Sequence, residues 1–303
     1  MWSIDRKAYM IDQAVTVDVA FRKGVQKLYE AAIAIVNKPL CLAAAESITT
    51  AAQKGDIVSI ITGFPVLEKK VCETDGPLGA AVLSETLRSM GLKPILVTDD
   101  LCVDVVKATS LDTVVTVCPT DNETDKLLAR HKPSALIAIE RPGANIKGEY
   151  HTMRGINISH LISSKTDYLF KQARKRGIAT VAVGDGGNEL GCGAVIDAVQ
   201  KYVPYGARCQ CPCNGGIAAA TPADILVIGG TSNWGSYGIA ACLSLMKDLK
   251  YEHTSECELQ LLKRAISAGS ADAVTGKKEL SVDGLPMSIN ALIVDLIWEI
   301  ASA

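Results

Sequence analysis

The stretch Thr180-Val-Ala-Val-Gly-Asp-Gly-Gly-Asn-Glu-Leu-Gly-Cys-Gly193 decides how this chain folds. It opens as a short β-branched and apolar run, the signature of a buried strand. At Gly184 it breaks into a loop that carries Asp185, Asn188 and Glu189 among five glycines. Beyond Glu189, the spacing of Leu190, Val195, Ile196, Ala198 and Val199 predicts a helix packing one face inward. Strand, acidic glycine loop and helix form a ligand-binding turn of an open α/β sheet, where sites lie beyond the carboxyl ends of the strands. Glycine lets the backbone approach a ligand closely and take positive φ. Two carboxylates and an amide are hard oxygen ligands suited to Mg²⁺, Mn²⁺ or Ca²⁺. The plainer reading, Asp185 capping the helix, accounts for one acidic residue and leaves Asn188 and Glu189 without a role.

Two nucleotide signatures fail here. A dinucleotide fingerprint needs G-x-G-x-x-G. Gly184 and Gly186 fit, but Glu189 stands at the third position, where its charge would repel a pyrophosphate. The phosphate loop has a near miss from Gly230 to Gly235, with Ser236 where the lysine must be. Neither NAD nor flavin is expected.

Working outward, the alternation is regular. Predicted strands are Asp56–Thr62, Pro94–Thr98, Thr113–Val117, Ala135–Ile139, Thr180–Val183 and Asp224–Ile228. Helices are expected over Ala43–Gln53, Leu78–Met90, Val103–Ala108, Asn122–His131, Ile162–Lys175, Tyr237–Met246 and Ile289–Ala301. Pro77 with Asp75 just before it is a start signal for the second of these. The first 54 residues read as a helical segment, with Thr16–Ala20 ambiguous between helix and strand. The polar stretch 267–284 is a lid or a connector. This spacing calls for right-handed parallel crossovers. The expected fold is a single α/β domain over 1–303, a mostly parallel, doubly wound (Rossmann-like) sheet with helices on both faces.

Polar groups recur immediately after strands: Thr62-Gly63, Asp99-Asp100, Glu140-Arg141, Asp185 to Glu189, and Thr231-Ser232-Asn233. In a parallel sheet these strand ends share one edge, so the groups can converge in one cleft. Arg141 can bind a substrate carboxylate bidentately or form a local ion pair. Trp234 either walls the cleft or packs in the core.

Composition narrows the partners. Hydrophobic residues make up 48% and aromatics 5%, a core of Ala, Val, Ile and Leu suited to buried parallel strands. A net charge of −2, from 31 basic and 33 acidic residues, argues against nucleic acid or an anionic membrane. The mean hydropathy of +0.21 suggests apolar surface covered in a homo-oligomer. The N-terminus lacks a signal-peptide layout and no apolar run reaches membrane-span length, so a cytoplasmic, reduced protein is expected.

Of the ten cysteines, Cys102, Cys118, Cys192 and Cys242 sit in or beside apolar runs, where a thiol behaves as a small hydrophobe. Cys209, Cys211 and Cys213 alternate. Zinc sites ordinarily use C-x-x-C pairs, and strict alternation with a proline fits that geometry poorly; the expectation is a loop with partly buried thiols. His131, His151, His160 and His253 show no zinc pairing and are expected at the surface or as satisfied polar groups. Ser232 and Ser236 lack the G-x-S-x-G elbow of a serine hydrolase.

Four separated motifs stand in order: Glu73-Thr74-Asp75-Gly76-Pro77, Ile139-Glu140-Arg141-Pro142-Gly143, Gly184-Asp185-Gly186-Gly187-Asn188-Glu189-Leu190-Gly191, and Ser232-Asn233-Trp234-Gly235. With Asp272-Ala273-Val274-Thr275-Gly276 and Val282-Asp283-Gly284, this set resembles the carboxy-terminal domain of the D-glutamate cyclase family, including its free-standing microbial members. The resemblance covers nearly the whole chain from about residue 15. It implies an α/β enzyme, dependent on Mg²⁺ or Mn²⁺, linked to conversion of D-glutamate into 5-oxo-D-proline.

Such a cyclisation suits the residues. The α-amine attacks the γ-carboxylate and an oxygen leaves as water; a dication can polarise that carboxylate and a carboxylate base can take the amine proton. Asp185, Glu189, Asn188 and Glu140 are the candidate metal ligands, and Glu189, Asp75 and Glu140 the candidate acids and bases. Arg141, Thr231, Ser232 and Asn233, with the backbone of Gly186 and Gly187, are candidates for holding a small-molecule substrate. The alternatives are a metal-dependent phosphoric ester hydrolase and a non-catalytic binding protein for an amino acid or nucleotide.

Overall fold

The structure, a computed structural model, describes residues 2–21, 24–116, 120–164, 166–250 and 253–303. In chain order the first elements are α1 (Ile4–Val15), α2 (Val25–Val36), α3 (Leu40–Ala51), β1 (Ile57–Thr62), β2 (Pro65–Val66), β3 (Val71–Cys72), α4 (Pro77–Ser89), β4 (Lys93–Thr98), α5 (Val103–Thr109) and β5 (Thr113–Thr116). There follow α6 (Asp121–His131), β6 (Ala135–Ile139), α7 (Thr166–Lys175), β7 (Ala179–Gly184), α8 (Ile196–Tyr202), β8 (Ile225–Ile228), α9 (Ser232–Lys247), α10 (Ser255–Ser267), β9 (Ser281–Val282), β10 (Leu285–Pro286) and α11 (Met287–Ser302). Cys118 and the end of the predicted strand at Val117 lie outside the described residues.

Six strands form one parallel sheet in the order β5-β4-β1-β6-β7-β8. The chain moves outward from β1 to β5, returns to lay β6 on the other side of β1, and moves outward again. This is the doubly wound α/β order, and its reversal between β1 and β6 opens a crevice beyond the carboxyl ends of those two strands. All five residues of β6 are buried, because a strand covered on both faces must be apolar throughout. On the helical layer, α4 and α9 pack against each other and on β1, β6 and β7, while α7 covers β7 with α6 beside it. Gly79 permits that crossing: a Cβ there would stand 2.8 Å from Ser236 Oγ and 3.0 Å from the Asn233 backbone.

The departures from the predicted elements have local causes. Thr16–Ala20 is neither helix nor strand; Thr16 closes α1, its hydroxyl and its N–H both donating to the Asp12 carbonyl. α7 begins at Thr166 rather than Ile162, because Ser164 and Thr166 turn to accept from Arg141. α9 begins at Ser232 rather than Tyr237. Its Gly- and Ser-rich start has weak helical preference, but Thr231 caps it through Trp234 N and Asp75 accepts from Ser232 N and Asn233 N. The helix after the central loop starts only at Ile196, after a 3₁₀ turn at Gly193–Val195. α10 has no counterpart among the predicted elements.

Among the described residues no single helix is long and apolar enough to cross a membrane. The 267–284 stretch is pinned along the 72–74 segment: Ser270 Oγ donates to Cys72 O, Thr74 N to Ala271 O and Thr74 Oγ1 to Ser281 O. Asp272 organises it from within, accepting from Val274 N, Thr275 N, Ser281 Oγ and Gly284 N.

Candidate metal centre and substrate cavity

Three strand ends deliver the acids. The segment after β1 forms the short β2–β3 hairpin and brings Glu73 and Asp75 back over the sheet. Glu140 follows β6 and Asp185 follows β7. One carboxylate oxygen from each of Asp75, Glu140 and Asp185 lies within 4.8 Å of the others, and all three residues are buried. Beside them a cavity of about 470 Å³ is lined by the polar side chains of Glu73, Glu140, Asp185, Asn188, Glu189 and Asp283 and by the apolar Phe64, Val66 and Met153. That volume suits a small metabolite.

The turn that places Glu140 is strained. Glu140 has φ +41, a left-handed conformation that costs a non-glycine residue about 1 kcal/mol or more and is typical of functional sites. Gly76, at φ +95, allows the Asp75 loop to press on it, since a Cβ there would stand 2.7 Å from Glu140 Cβ. Ser232 Oγ donates to Glu140 Oε2 at 2.6 Å.

Crowding of like charge shows in the acidities. Burial, then the charges of Asp185, Glu189, Glu73 and Asp75, push the Glu140 carboxyl well above its ordinary value. Burial, then Asp283, Asp75 and Asp185, do the same to Glu73. Glu73 Oε1 and Asn188 Oδ1, buried acceptors of two residues that line the cavity, have no hydrogen-bond partner among the described residues. Unpartnered buried acceptors beside converging carboxylates fit a bound cation, because hard oxygen donors in a dry site need one to offset desolvation and repulsion. Asp75, Glu140 and Asp185 are the residues able to hold it.

The other expected site residues fall into two groups. Glu189 lines the cavity, yet both its oxygens are taken by its own loop, Oε1 accepting from Gly186 N and Oε2 from Gly187 N and Cys192 Sγ. The amides of Gly186 and Gly187 are thereby occupied. Glu189 does not open a helix: it pairs with Pro142 across an isolated bridge. Asp185 does not cap α8, whose N-cap is Val195 without a side-chain bond. Nor does Asp75 cap the helix that follows it, because α4 has no side chain at its N-cap and Asp75 serves α9 instead.

Arg141 is fully buried and is spent on structure. It pairs with Asp99 at 2.9 Å and donates to Gly63 O, Ser164 O and Thr166 Oγ1. Thr231 caps α9, and Asn233 Oδ1 accepts from Gly76 N and Gly79 N while its Nδ2 donates to Thr74 O. These three residues have no part in the cavity lining. Trp234 is core, its Nε1 donating to Asn290 Oδ1. Among the described residues the cation lining the cavity is Arg154, exposed and paired with Glu68 at 2.9 Å.

Glu73, Asp283 and Arg154 are charged residues of the cavity lining that the sequence did not assign to the site. A signal existed for the first: Glu73 stands two before Asp75, the spacing that puts alternate side chains on one side of an extended segment. Asp283 and Arg154 belong to loops whose approach only the tertiary fold reveals.

Comparison with known proteins agrees with this architecture. The family profile described as D-glutamate cyclase-like, C-terminal, matches residues 11–297. The mitochondrial D-glutamate cyclase of Homo sapiens is 30% identical over 234 residues, 71% of this chain and 36% of that protein. The chain thus spans about a third of the length of the curated relative it matches.

Proposed function

The chain belongs to the D-glutamate cyclase-like, C-terminal family, and from that premise we propose that it is a divalent-metal-dependent lyase that closes D-glutamate to 5-oxo-D-proline and water. The observation that carries the reading is the buried convergence of Asp75, Glu140 and Asp185 beside a cavity of metabolite size. In this reading Asp75, Glu140 and Asp185 would hold Mg²⁺ or Mn²⁺, which when bound would supply Lewis-acid polarisation of the substrate γ-carboxylate. Arg154 takes the α-carboxylate at the rim. Asn188 Oδ1 accepts an N–H of the amine and so aims the nitrogen at the γ-carbon.

Glu73, with an unpartnered oxygen facing the same space, receives a proton from the α-ammonium and returns it to the departing oxygen. The balance is internal: a C–N bond forms, a C–O bond breaks, and the ammonium's two surplus protons leave with that oxygen as water. Glu189 holds the 185–189 loop in shape, and Ser232 orients Glu140. Phe64, Val66 and Met153 keep bulk water from the ring as it closes.

A phosphoric ester hydrolase is less well supported, since Arg154 is the one basic residue lining the cavity among those described. The test incubates the folded, metal-loaded chain with D-glutamate, L-glutamate and a phosphomonoester, each with Mn²⁺ or Mg²⁺. Chiral chromatography should find 5-oxo-D-proline above the metal-only control. Absence of that product, with phosphate released or with D-glutamate merely bound, would replace the lyase reading by the hydrolase or the binding protein.

A further inference from the structure

Beside the cavity, on the far side of His151, lies a cluster of different chemistry. The sulfurs of Cys209 and Cys211 are 3.5 Å apart, those of Cys209 and Cys213 3.3 Å, and those of Cys211 and Cys213 3.2 Å. His151 Nε2 stands 3.2 Å from Cys211 Sγ and 3.6 Å from Cys213 Sγ. The cysteines are free thiols, and the four ligand atoms all lie within 4.8 Å of one another. We propose that Cys209, Cys211, Cys213 and His151 bind a zinc ion at a closed, structural site.

Three observations carry this. The first is geometry: ligands at ~2.3 Å (sulfur) and ~2.0 Å (nitrogen) from a tetrahedral zinc stand about 3.5–3.8 Å from one another. The four atoms already outline that tetrahedron and need only expand slightly. The second is donor type, because three thiolates and an imidazole form a complete set for structural zinc and a poor one for Mg²⁺ or Mn²⁺.

The third is the surroundings of the sulfurs. N–H groups point at them: Gly215 N at 3.4 Å and Asn145 Nδ2 at 3.6 Å to Cys213, and Asn157 Nδ2 at 4.0 Å to Cys211. Hydrogen-bond donors of this kind are the outer-shell partners that hold metal-bound ligands in place. The alternating spacing, which disfavours zinc in an extended chain, is overcome by bends at Gln210 and Cys211 and a turn at Pro212–Cys213. Asn214 N closes that turn on Cys211 O.

The site is a staple for the cavity wall. His151 O accepts from Asn188 Nδ2 at 2.8 Å, and the next residues, Thr152, Met153 and Arg154, line the cavity. Gln210 ties the cysteine loop to the same segment through Gly155 O and Arg154 O. A zinc ion here fixes the wall that carries Arg154 without touching the substrate. Its presence does not depend on which reaction the acidic cavity performs.

The test uses the full chain, expressed with zinc and purified in a reducing buffer containing excess Mg²⁺ to occupy the carboxylates. Plasma mass spectrometry should find one zinc per chain, released when an organomercurial titrates the thiols. Replacement by Co²⁺ should give sulfur-to-cobalt charge-transfer absorption and the intense d–d bands of a tetrahedral site. Cys211→Ser should lose the metal, and Cys257→Ser, an exposed thiol elsewhere, should keep it. Should Cys211→Ser fail to fold, the cobalt spectrum of the native chain decides alone. A native chain without charge-transfer bands, with iron and labile sulfide instead of zinc, or with a disulfide among the three cysteines overturns the proposal.

Discussion

At the scale of single residues, Glu140 concentrates the site's chemistry. It sits in a left-handed turn, Ser232 Oγ holds its Oε2, and four neighbouring carboxylates raise its pKa beyond what burial alone does. The folded chain therefore keeps the Glu140 proton to higher pH than the unfolded chain, whose value is near 4.5. Below that value Glu140 costs nothing; as pH rises above it the metal-free fold loses stability, until the raised folded value is passed. Glu140→Gln keeps an acceptor for Ser232 and removes the charge. Without metal, the variant should melt above the native protein at about pH 8, by a margin that shrinks toward pH 5. With saturating Mg²⁺ at the higher pH the order should reverse, because a ligand is gone. Calorimetry at the two pH values checks this, and a margin independent of pH would show that the Glu140 carboxyl is not held protonated by its surroundings. The acids Asp75, Glu140 and Asp185 were legible because each follows a strand closely or through a short hairpin. The internal bonding of Arg141 and Asn233 was not legible for the opposite reason: a buried polar side chain looks the same in sequence whether it faces a ligand or its own backbone.

At the scale of elements, α4 and α9 exchange caps. Asp75, just before α4, accepts from the first amides of α9, and Asn233, in the first turn of α9, accepts from Gly76 N and from Gly79 N in α4. Neither helix start is fully encoded beside itself, which is why α9 begins five residues earlier than its periodicity suggests (Ser232 against Tyr237). Asn233→Ala leaves two buried amides without an acceptor at ~1–3 kcal/mol each, so a loss of about 2–6 kcal/mol is expected. Urea denaturation should show a lower midpoint at unchanged slope. The fit of Asp75 to metal should weaken with it, since the same first turn of α9 orients that carboxylate. A native midpoint combined with a raised KM would instead return Asn233 to the substrate. The parallel strands were readable from apolar runs punctuated by glycine and acid. The zinc-like cluster was not, because it brings together residues some sixty positions apart (His151 and Cys211).

At the scale of the whole molecule, the sheet order β5-β4-β1-β6-β7-β8 explains why acids far apart in sequence meet. The strand order reverses between β1 and β6, and the loops there cannot cover one another, so a crevice stays open at the carboxyl edge. Spacing alone announced parallel strands and a shared edge. What it could not supply is the order of the strands, and with it the position of the crevice or the arrival of Asp283 from the far end of the chain. The central claim is that Asp75, Glu140 and Asp185 form a divalent-cation site. A cation that binds only the folded state at one hundred times its dissociation constant stabilises it by about 2.7 kcal/mol. Asp185→Asn preserves size and hydrogen bonding while removing one anionic ligand. The most direct measurement is scanning calorimetry of the native chain and Asp185→Asn, each with and without Mn²⁺ or Mg²⁺. The account predicts that metal raises the native melting temperature, that the variant loses most of that rise, and that the metal-free variant melts at or above the metal-free native protein. A native chain indifferent to metal, or a variant that responds as the native chain does, would contradict it.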